Sequence, residues 1–133
     1  NGNEAGEITM ALRIVTGSDN AGYGHKSALK ELLEQDPRVE KVIDVGVTGR
    51  EDGTYYPNVA VEAAEKIAAG EADRALLICG EFDTICPPRR HEFLAELMPQ
   101  ARFRLIPGAG HLAPLEQPLL VSEALRDWLD APR

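Results

Sequence analysis

Side chains able to transfer a proton or attack an electrophile are concentrated in four short segments, each of which follows an apolar or β-branched run. These segments are Ser18-Asp19-Asn20, 48–56, 79–86 and 108–111. The third holds Cys79 and Asp83, and the fourth ends at His111. An aspartate bonded to a histidine orients the imidazole for proton transfer, whereas a cysteine reacts only as its thiolate. The residue types therefore indicate acid–base chemistry if the fold brings the segments together.

Strand and helix patterns alternate strictly between these segments. We predict strands over 12–17, 39–47, 75–79 and 103–106, and helices over 24–35, from Pro57 to a cap at Gly70, from Pro88 onward and over 117–129. This alternation predicts a parallel sheet with helices on both faces. The expected class is α/β, a flavodoxin- or Rossmann-like three-layer α/β/α sandwich whose four-stranded parallel sheet has the order 2-1-3-4. The loops after the strands then meet at one edge, where ligands bind in such folds.

Apolar residues at helical spacing predict which helix faces are buried. The first helix presents Ala28, Leu29, Leu32 and Leu33, and the second presents Val59, Ala63, Ala64 and Ile67. The third presents Phe93, Leu94, Leu97 and Met98, and the last points Leu120, Ala124, Leu125 and Trp128 inward. His25 and His91 are expected to face solvent.

The overall composition excludes several kinds of protein. The 133 residues carry a formal net charge of -8, which argues against a nucleic-acid groove. No apolar run approaches the ~18 residues of a membrane span, and no secretory signal peptide is visible. Two cysteines are too few for a disulfide framework and lack zinc-ligand spacing, so we expect no metal, no cofactor and a cytoplasmic location. Residues 1–9 are expected to be a leader or a tag-like tail, with Met10 as an original start.

Three segments of the first half carry a resemblance to a known family. They are 16–22 (TGSDNAG), 56–58 (YPN) and 70–80 (GEADRALLICG). Together they resemble type B ribose-5-phosphate isomerase and related aldose–ketose sugar-phosphate isomerases. The resemblance implies that Cys79 is the base that moves a proton between C1 and C2, and that Ser18, Asp19, Asn20 and Tyr56 bind the sugar. The family has a histidine in place of Asn20, and a glycine-rich turn where this chain has 81–83.

Two segments of the second half resemble a different family. Residues 77–88 (LICGEFDTICPP) and 107–118 (PGAGHLAPLEQP) are similar to the C-terminal part of an α/β-hydrolase. The resemblance implies that Asp83 is the acid and His111 the base of a catalytic triad. The nucleophile elbow Gly-x-Ser-x-Gly occurs nowhere in the sequence.

Each candidate residue also has a structural interpretation. Cys79 fits a buried structural thiol, because Glu81 and Asp83 nearby favour its protonated form. Ser18 or Asp19 can cap the first helix instead of binding a sugar. Asp83 and His111 follow neighbouring strands and can pair without catalysing acyl transfer, since only Ser18 lies near enough to complete a triad and it lacks the strained elbow.

The two resemblances overlap in the strand 75–80, where residue usage also changes. All four lysines precede residue 67, and seven of nine prolines lie from Pro87 onward. The hypothesis is therefore one domain over 10–133, a chimera of an isomerase-like part, 10–80, and a hydrolase-like part, 81–133. We expect a scaffold with two incomplete active sites that is not an efficient enzyme. The alternatives are residual binding or isomerisation of a small phosphorylated sugar, and a weak esterase. Because both parent folds would be truncated, apolar faces that packed on the missing elements would be exposed, and these predict a homodimer.

Overall fold

The computed structural model describes residues 11–54, 56–98 and 100–132; the predicted leader 1–9 and Met10 lie outside this part. Its strands are β1 (Leu12–Ser18), β2 (Val39–Gly46), β3 (Ala75–Gly80) and β4 (Ala101–Ile106). Its helices are α1 (Tyr23–Glu34), α2 (Tyr56–Ala68), α3 (Pro88–Leu97), α4 (Ala113–Glu116) and α5 (Pro118–Asp130). The predicted alternation is confirmed, and the one-turn helix α4 is an addition to it.

The strands pair in parallel, as expected, but they do not form one continuous sheet. β1 pairs with β2 and β3 with β4, so the described strands make two two-stranded sheets. A single bridge between Ile14 and Arg74 joins the two pairs in the predicted order. Next to it, the Arg13 amide donates to the Asp73 side chain at 2.8 Å, while the Asp73 amide donates to the Arg13 carbonyl. At this point the Asp73 carboxylate accepts a hydrogen bond that a backbone carbonyl would accept in a continuous sheet. The prediction of one continuous four-stranded sheet was therefore wrong, because the described strands form two separate pairs.

The core lies on both sides of the strand pairs and crosses the junction between them. One buried cluster contains Leu12 and Ile14 of β1, Leu33 of α1 and Trp128 of α5. A second contains Ile106, Ala109, Ala113, Val121 and Ala124. On the opposite face, α2 packs on β1 and β2, and α3 packs on β3 and β4. Three layers therefore form as predicted, and α5 ties the second strand pair to the first.

Several predicted helix faces were wrong in detail. Leu32, Phe93, Leu97 and Leu120 are exposed, with Leu32 at 68%. Lys26 is buried in the place expected for an apolar residue, because its ammonium reaches Asp44 at 2.8 Å and the carbonyls of Val45 and Val47. Helical spacing marks a face only approximately, and a long cationic side chain fills a core position when acceptors surround its end. Across the described residues, no helix is long and apolar enough to cross a membrane.

Candidate functional site

Asp83 and His111 form a hydrogen-bonded pair at the carboxyl ends of β3 and β4. Asp83 lies three residues beyond the end of β3, and His111 lies in the loop between β4 and α4. The Oδ2 atom of Asp83 is 2.9 Å from Nδ1 of His111. Asp83 is only 6% exposed, whereas the His111 side chain is 32% exposed. The structure thus brings together two residues that the sequence placed on neighbouring strands.

Backbone amides hold the Asp83 carboxylate in its ionised form. Its Oδ1 atom accepts N–H groups from Ile85 and Cys86, each at 2.9 Å. Burial alone would raise the pKa of Asp83, but the hydrogen bonds from Cys86 and His111 outweigh it and lower the pKa below 3.8. An ionised carboxylate only accepts, so Nδ1 of His111 donates the proton of this hydrogen bond and Nε2 is the ring nitrogen turned away from Asp83. The pair therefore presents an oriented general base.

Gly80 allows the two loops to approach closely enough for this pair. A Cβ atom at Gly80 would lie 2.1 Å from the carbonyl oxygen of Gly110 and 2.5 Å from that of Ala109. The same approach is secured by the Phe82 amide, which donates to the Ala109 carbonyl at 2.8 Å. The sequence marked Gly80 only as the end of a strand, so this requirement was missed.

Two glutamates hold the loop that carries His111, and sequence reasoning did not identify this role. Glu116 accepts the amides of Gly110 and Leu112 at 3.1 and 3.0 Å. Glu81 accepts the amide of Gly108 at 3.1 Å. The expectation that Glu81 acts on the Cys79 thiol was wrong, because this carboxylate is turned toward the His111 loop. The sequence signal for this role was Glu116, a carboxylate close enough in sequence to accept the amides of the His111 loop.

Cys79 is a buried thiol at the end of β3. It is 2% exposed, and its Sγ lies 3.4 Å from the carbonyl oxygens of both Gly80 and Cys86. Asp83 Oδ2 lies 4.0 Å from the same sulfur. Burial first, then the electrostatic interactions with Asp83 and Cys86, raise the pKa of Cys79 to about 11. These surroundings favour the protonated thiol.

The loop after β1 lies at a different cleft from the His111 pair. Ser18 and Asp19 line a cleft of about 240 Å³ between the two strand pairs, together with apolar residues of β1, α2, β3 and α3. The Ser18 hydroxyl donates to the carbonyl of Asp19 at 2.9 Å and not to His111, so the Ser18–His111–Asp83 triad is not assembled. Asp19 accepts the amide of Gly22 at 3.0 Å, while the N-cap of α1 has no side-chain hydrogen bond, so the predicted cap is absent.

The remaining residues singled out in the sequence lie on helices α1, α2 and α3 or directly before α1. Asn20 is exposed, and its carbonyl accepts the amide of Tyr23 at 3.4 Å. Tyr56 begins α2, but its side chain lies outside the described residues. His25 is exposed as predicted, whereas His91 is half-buried against Phe103. Within the described ranges no group of three or more His, Cys, Asp or Glu residues is arranged to hold a metal ion.

The fold and the loop after β1 are those of a sugar isomerase family. The sequence model of the Ribose/Galactose Isomerase family matches residues 14–82, which is just over half of the chain. The chain therefore belongs to this family. The match ends one residue before Asp83, so the Asp83–His111 pair lies beyond it.

Individual relatives agree with this assignment. D-erythrulose-4-phosphate isomerase 2 of Mycolicibacterium smegmatis is 68% identical over 71 residues, which are 53% of this chain and 47% of that protein. The chain thus matches about half the length of that curated relative. Ribose-5-phosphate isomerase B of Clostridium thermocellum aligns over 90% of this chain and 85% of its own, with a TM-score of 0.60 and 24% identity. The likeness of fold therefore extends past residue 82, where the family match ends.

Part of the chain is also similar to a solved esterase structure. The esterase of Thermogutta terrifontis is 35% identical to it, covering 60% of this chain and 26% of its own, with a TM-score of 0.43.

Proposed function

We propose that this chain is a sugar-phosphate isomerase scaffold that does not isomerise its substrate efficiently at neutral pH. The carrying observation is the burial of the Cys79 thiol against Asp83. Proton transfer between C1 and C2 needs a thiolate base. With a pKa of about 11, about one Cys79 thiol in 10⁴ is ionised at pH 7. The family fold is present, but its base is held in the unreactive form.

A direct assay of isomerase turnover tests this proposal. D-erythrulose 4-phosphate and ribose 5-phosphate are offered to the wild type and to Cys79→Ala at pH 7 and pH 9. The expected rates at pH 7 do not differ between the two proteins. A wild-type rate that rises with pH and is absent in Cys79→Ala supports a thiol that is intact but protonated. Turnover at pH 7 that Cys79→Ala abolishes contradicts the proposal.

Binding of the sugar phosphate is a separate part of the proposal. Ser18 and Asp19 line the cleft at the carboxyl end of β1, next to the first turn of α1, where amide groups favour an anion. Titration with either sugar phosphate should shift the amide NMR signals of 18–22. Asp19→Asn should change the affinity, and the exposed Asp127→Asn should not. If the amide signals of 18–22 do not change at a saturating concentration of either sugar phosphate, the proposed binding site is excluded.

The Asp83–His111 distance favours a second candidate, weak hydrolysis of activated esters. Nε2 of His111 accepts a proton from the attacking water, and Asp83 stabilises the imidazolium that forms. An activated aryl ester should be hydrolysed above background by the wild type and by His25→Ala, whose histidine is exposed on α1. His111→Ala should return the rate to background. Equal rates for His111→Ala and wild type would exclude this candidate.

We also propose that 10–133 is one cooperative domain of chimeric ancestry, joined within β3. The end of the family match at residue 82 and the isolated bridge between Ile14 of β1 and Arg74, just before β3, support the join. Trp128 packs across this junction against Leu12 and Ile14. Urea unfolding followed by Trp128 fluorescence and by far-UV circular dichroism should therefore coincide. Separated transitions would show two independent units.

A homodimer is the proposed assembly. Val61 on α2 and Leu97 on α3 are exposed, and a groove of about 380 Å³ lies between these helices. Light scattering at micromolar concentration should give twice the chain mass of 14.5 kDa. A monomer under the same conditions contradicts the proposal.

A further inference from the structure

Cys86 and His91 form a second pair of reactive groups, separate from the Asp83–His111 pair. Cys86 precedes α3 by two residues, and His91 lies in the first turns of that helix. The Sγ atom of Cys86 is 3.9 Å from Nδ1 of His91. The imidazole is stacked on Phe103, with ring centroids 6.3 Å apart and an interplanar angle of 28°. The ring is thereby held with one nitrogen toward the sulfur.

We propose that Cys86 is a site of S-thiolation, at which a small anionic disulfide forms a mixed disulfide while His91 takes up the thiol proton. This proposal is independent of the isomerase proposal, since it involves neither Cys79 nor the cleft beside Asp19. It follows from the pairing of a thiol with a fixed imidazole, which is the arrangement that activates a cysteine nucleophile.

The two cysteines of the chain differ in the ways that decide reactivity. Both are free, but Cys79 is buried and Cys86 is only half-buried. The Cys79 thiol has two carbonyl oxygens and a carboxylate around it, all of which oppose ionisation. Cys86 has an imidazole at hydrogen-bond distance instead. A disulfide reagent therefore has access to the Cys86 thiol, which faces an imidazole, and not to the enclosed Cys79 thiol.

The charges around Cys86 favour an anionic reagent. Arg89 and Arg90 are exposed in the first turn of α3, directly after Cys86 and its two prolines. The Asp83 carboxylate, which accepts the Cys86 amide, is also bonded to the amide of Ile85 and to His111. Its charge is thus shared among three donors, while the two guanidinium groups remain open to solvent.

The reaction balances without any further oxidant. Nδ1 of His91 accepts the S–H proton, and the imidazolium formed can donate to the Pro87 carbonyl, 3.5 Å away. The thiolate attacks one sulfur of the disulfide, so that a bond to Cys86 forms as the original S–S bond breaks. The departing thiolate takes the proton from His91. The exchange involves no net oxidation or reduction, because the Cys86 sulfur enters the new disulfide as one sulfur of the reagent leaves as a thiol.

Intact-mass spectrometry with oxidised glutathione as the probe tests the site. The wild type and Cys79→Ser should each gain one glutathione adduct, which peptide mapping should assign to Cys86. Cys86→Ser should gain none. His91→Ala should react at least about tenfold more slowly, whereas His25→Ala should react at the wild-type rate. An adduct on Cys79, or equal rates for His91→Ala and wild type, would overturn the proposal.

A second measurement does not depend on the folding of the His91 variant. Alkylation of Cys86 by iodoacetate is compared with alkylation by neutral iodoacetamide, in the wild type and in Arg89→Gln. The preference for the anionic reagent should fall in Arg89→Gln and persist in Arg102→Gln, whose guanidinium lies on β4. An identical ratio in wild type and Arg89→Gln would exclude the anionic selectivity.

Discussion

The two strand pairs share one architecture but use their buried polar groups differently. In the first pair, Lys26 is a buried charge, and its ammonium binds Asp44 and the carbonyls of Val45 and Val47. In the second pair, Asp83 is the main buried charge, and it binds two amides and one ring nitrogen of His111. The first set of contacts uses every donor of the ammonium. The contacts of Asp83 involve Nδ1 of His111 and leave Nε2 of the same ring turned away from the carboxylate.

This difference separates a charge that stabilises the fold from one that prepares chemistry. Lys26 joins α1 to the end of β2 and presents nothing to a ligand. Asp83 fixes its loop and at the same time orients a side chain that reaches solvent. The family match covers the first pair and β3, yet the Asp83–His111 pair lies beyond its end. Family membership and the location of reactive groups are therefore separate questions in this chain.

The largest effect is expected from closing the space between the β3 and β4 loops. Gly80→Ala places a methyl group against the backbone of Ala109 and Gly110, which cannot move aside as a side chain can. We expect a loss of about 3 kcal/mol in the free energy of unfolding, measured by urea denaturation. The second strand pair and the His111 pair should be disrupted together.

Gly53→Ala is the matched control, because a Cβ atom there meets no other atom within 4 Å. It should unfold at the wild-type urea midpoint. Equal midpoints for Gly80→Ala and Gly53→Ala would show that the two loops are not in close contact.

A smaller loss is expected from the buried charge of the first pair. Lys26→Met retains most of the side-chain volume but leaves the carbonyls of Val45 and Val47 without their donor. The free energy of unfolding should fall by about 2 kcal/mol, with the His111 pair unaffected. Lys30→Met, which removes an exposed pair with Glu34, should leave the urea midpoint unchanged. A loss of ester hydrolysis in Lys26→Met would contradict the separation of the two regions.

The smallest effect, and the most specific one, is expected from Asp83→Asn. The folded-state pKa of Asp83 lies below its unfolded value of 3.8, so its charge contributes stability above about pH 4 that is lost as the pH falls through the folded pKa. Asp83→Asn should cost about 1.5 kcal/mol at pH 7 and progressively less toward pH 3. Urea denaturation from pH 7 to pH 3 measures this. A constant difference across that range would show that the carboxylate charge is not the cause.

Element types and their order were predictable from the sequence, whereas several contacts were not. The run 75–79 and the alternation of 39–47 identified their strands, since apolar patterning reports burial directly. The same patterning placed Leu32 and Leu97 inward, because it cannot say how wide each buried face is. It also missed Lys26, whose acceptors are Asp44 and the carbonyls of Val45 and Val47, far from it in sequence.

The candidate site divides in the same way. Asp83 and His111 were placed on neighbouring strands, and the structure brings them to 2.9 Å. The roles of Glu116 and Gly80 were not predicted, because each depends on the path of a loop that local sequence does not determine. Cys86 and His91 were not paired by sequence reasoning either, although Pro88 marked the helix start that brings them together.

The sequence by itself determined the α/β class, the family and the positions of the reactive residue types, because all three depend on local patterns and motifs. Only the tertiary structure decided that Cys79 is enclosed and Cys86 is not. It also decided that, in the described part of the chain, an isolated bridge between Ile14 and Arg74 links the two strand pairs, and that His111 bonds its partner carboxylate through Nδ1. Burial, hydrogen-bond direction and strand separation depend on groups distant in sequence, and these set which of the candidate side chains can react.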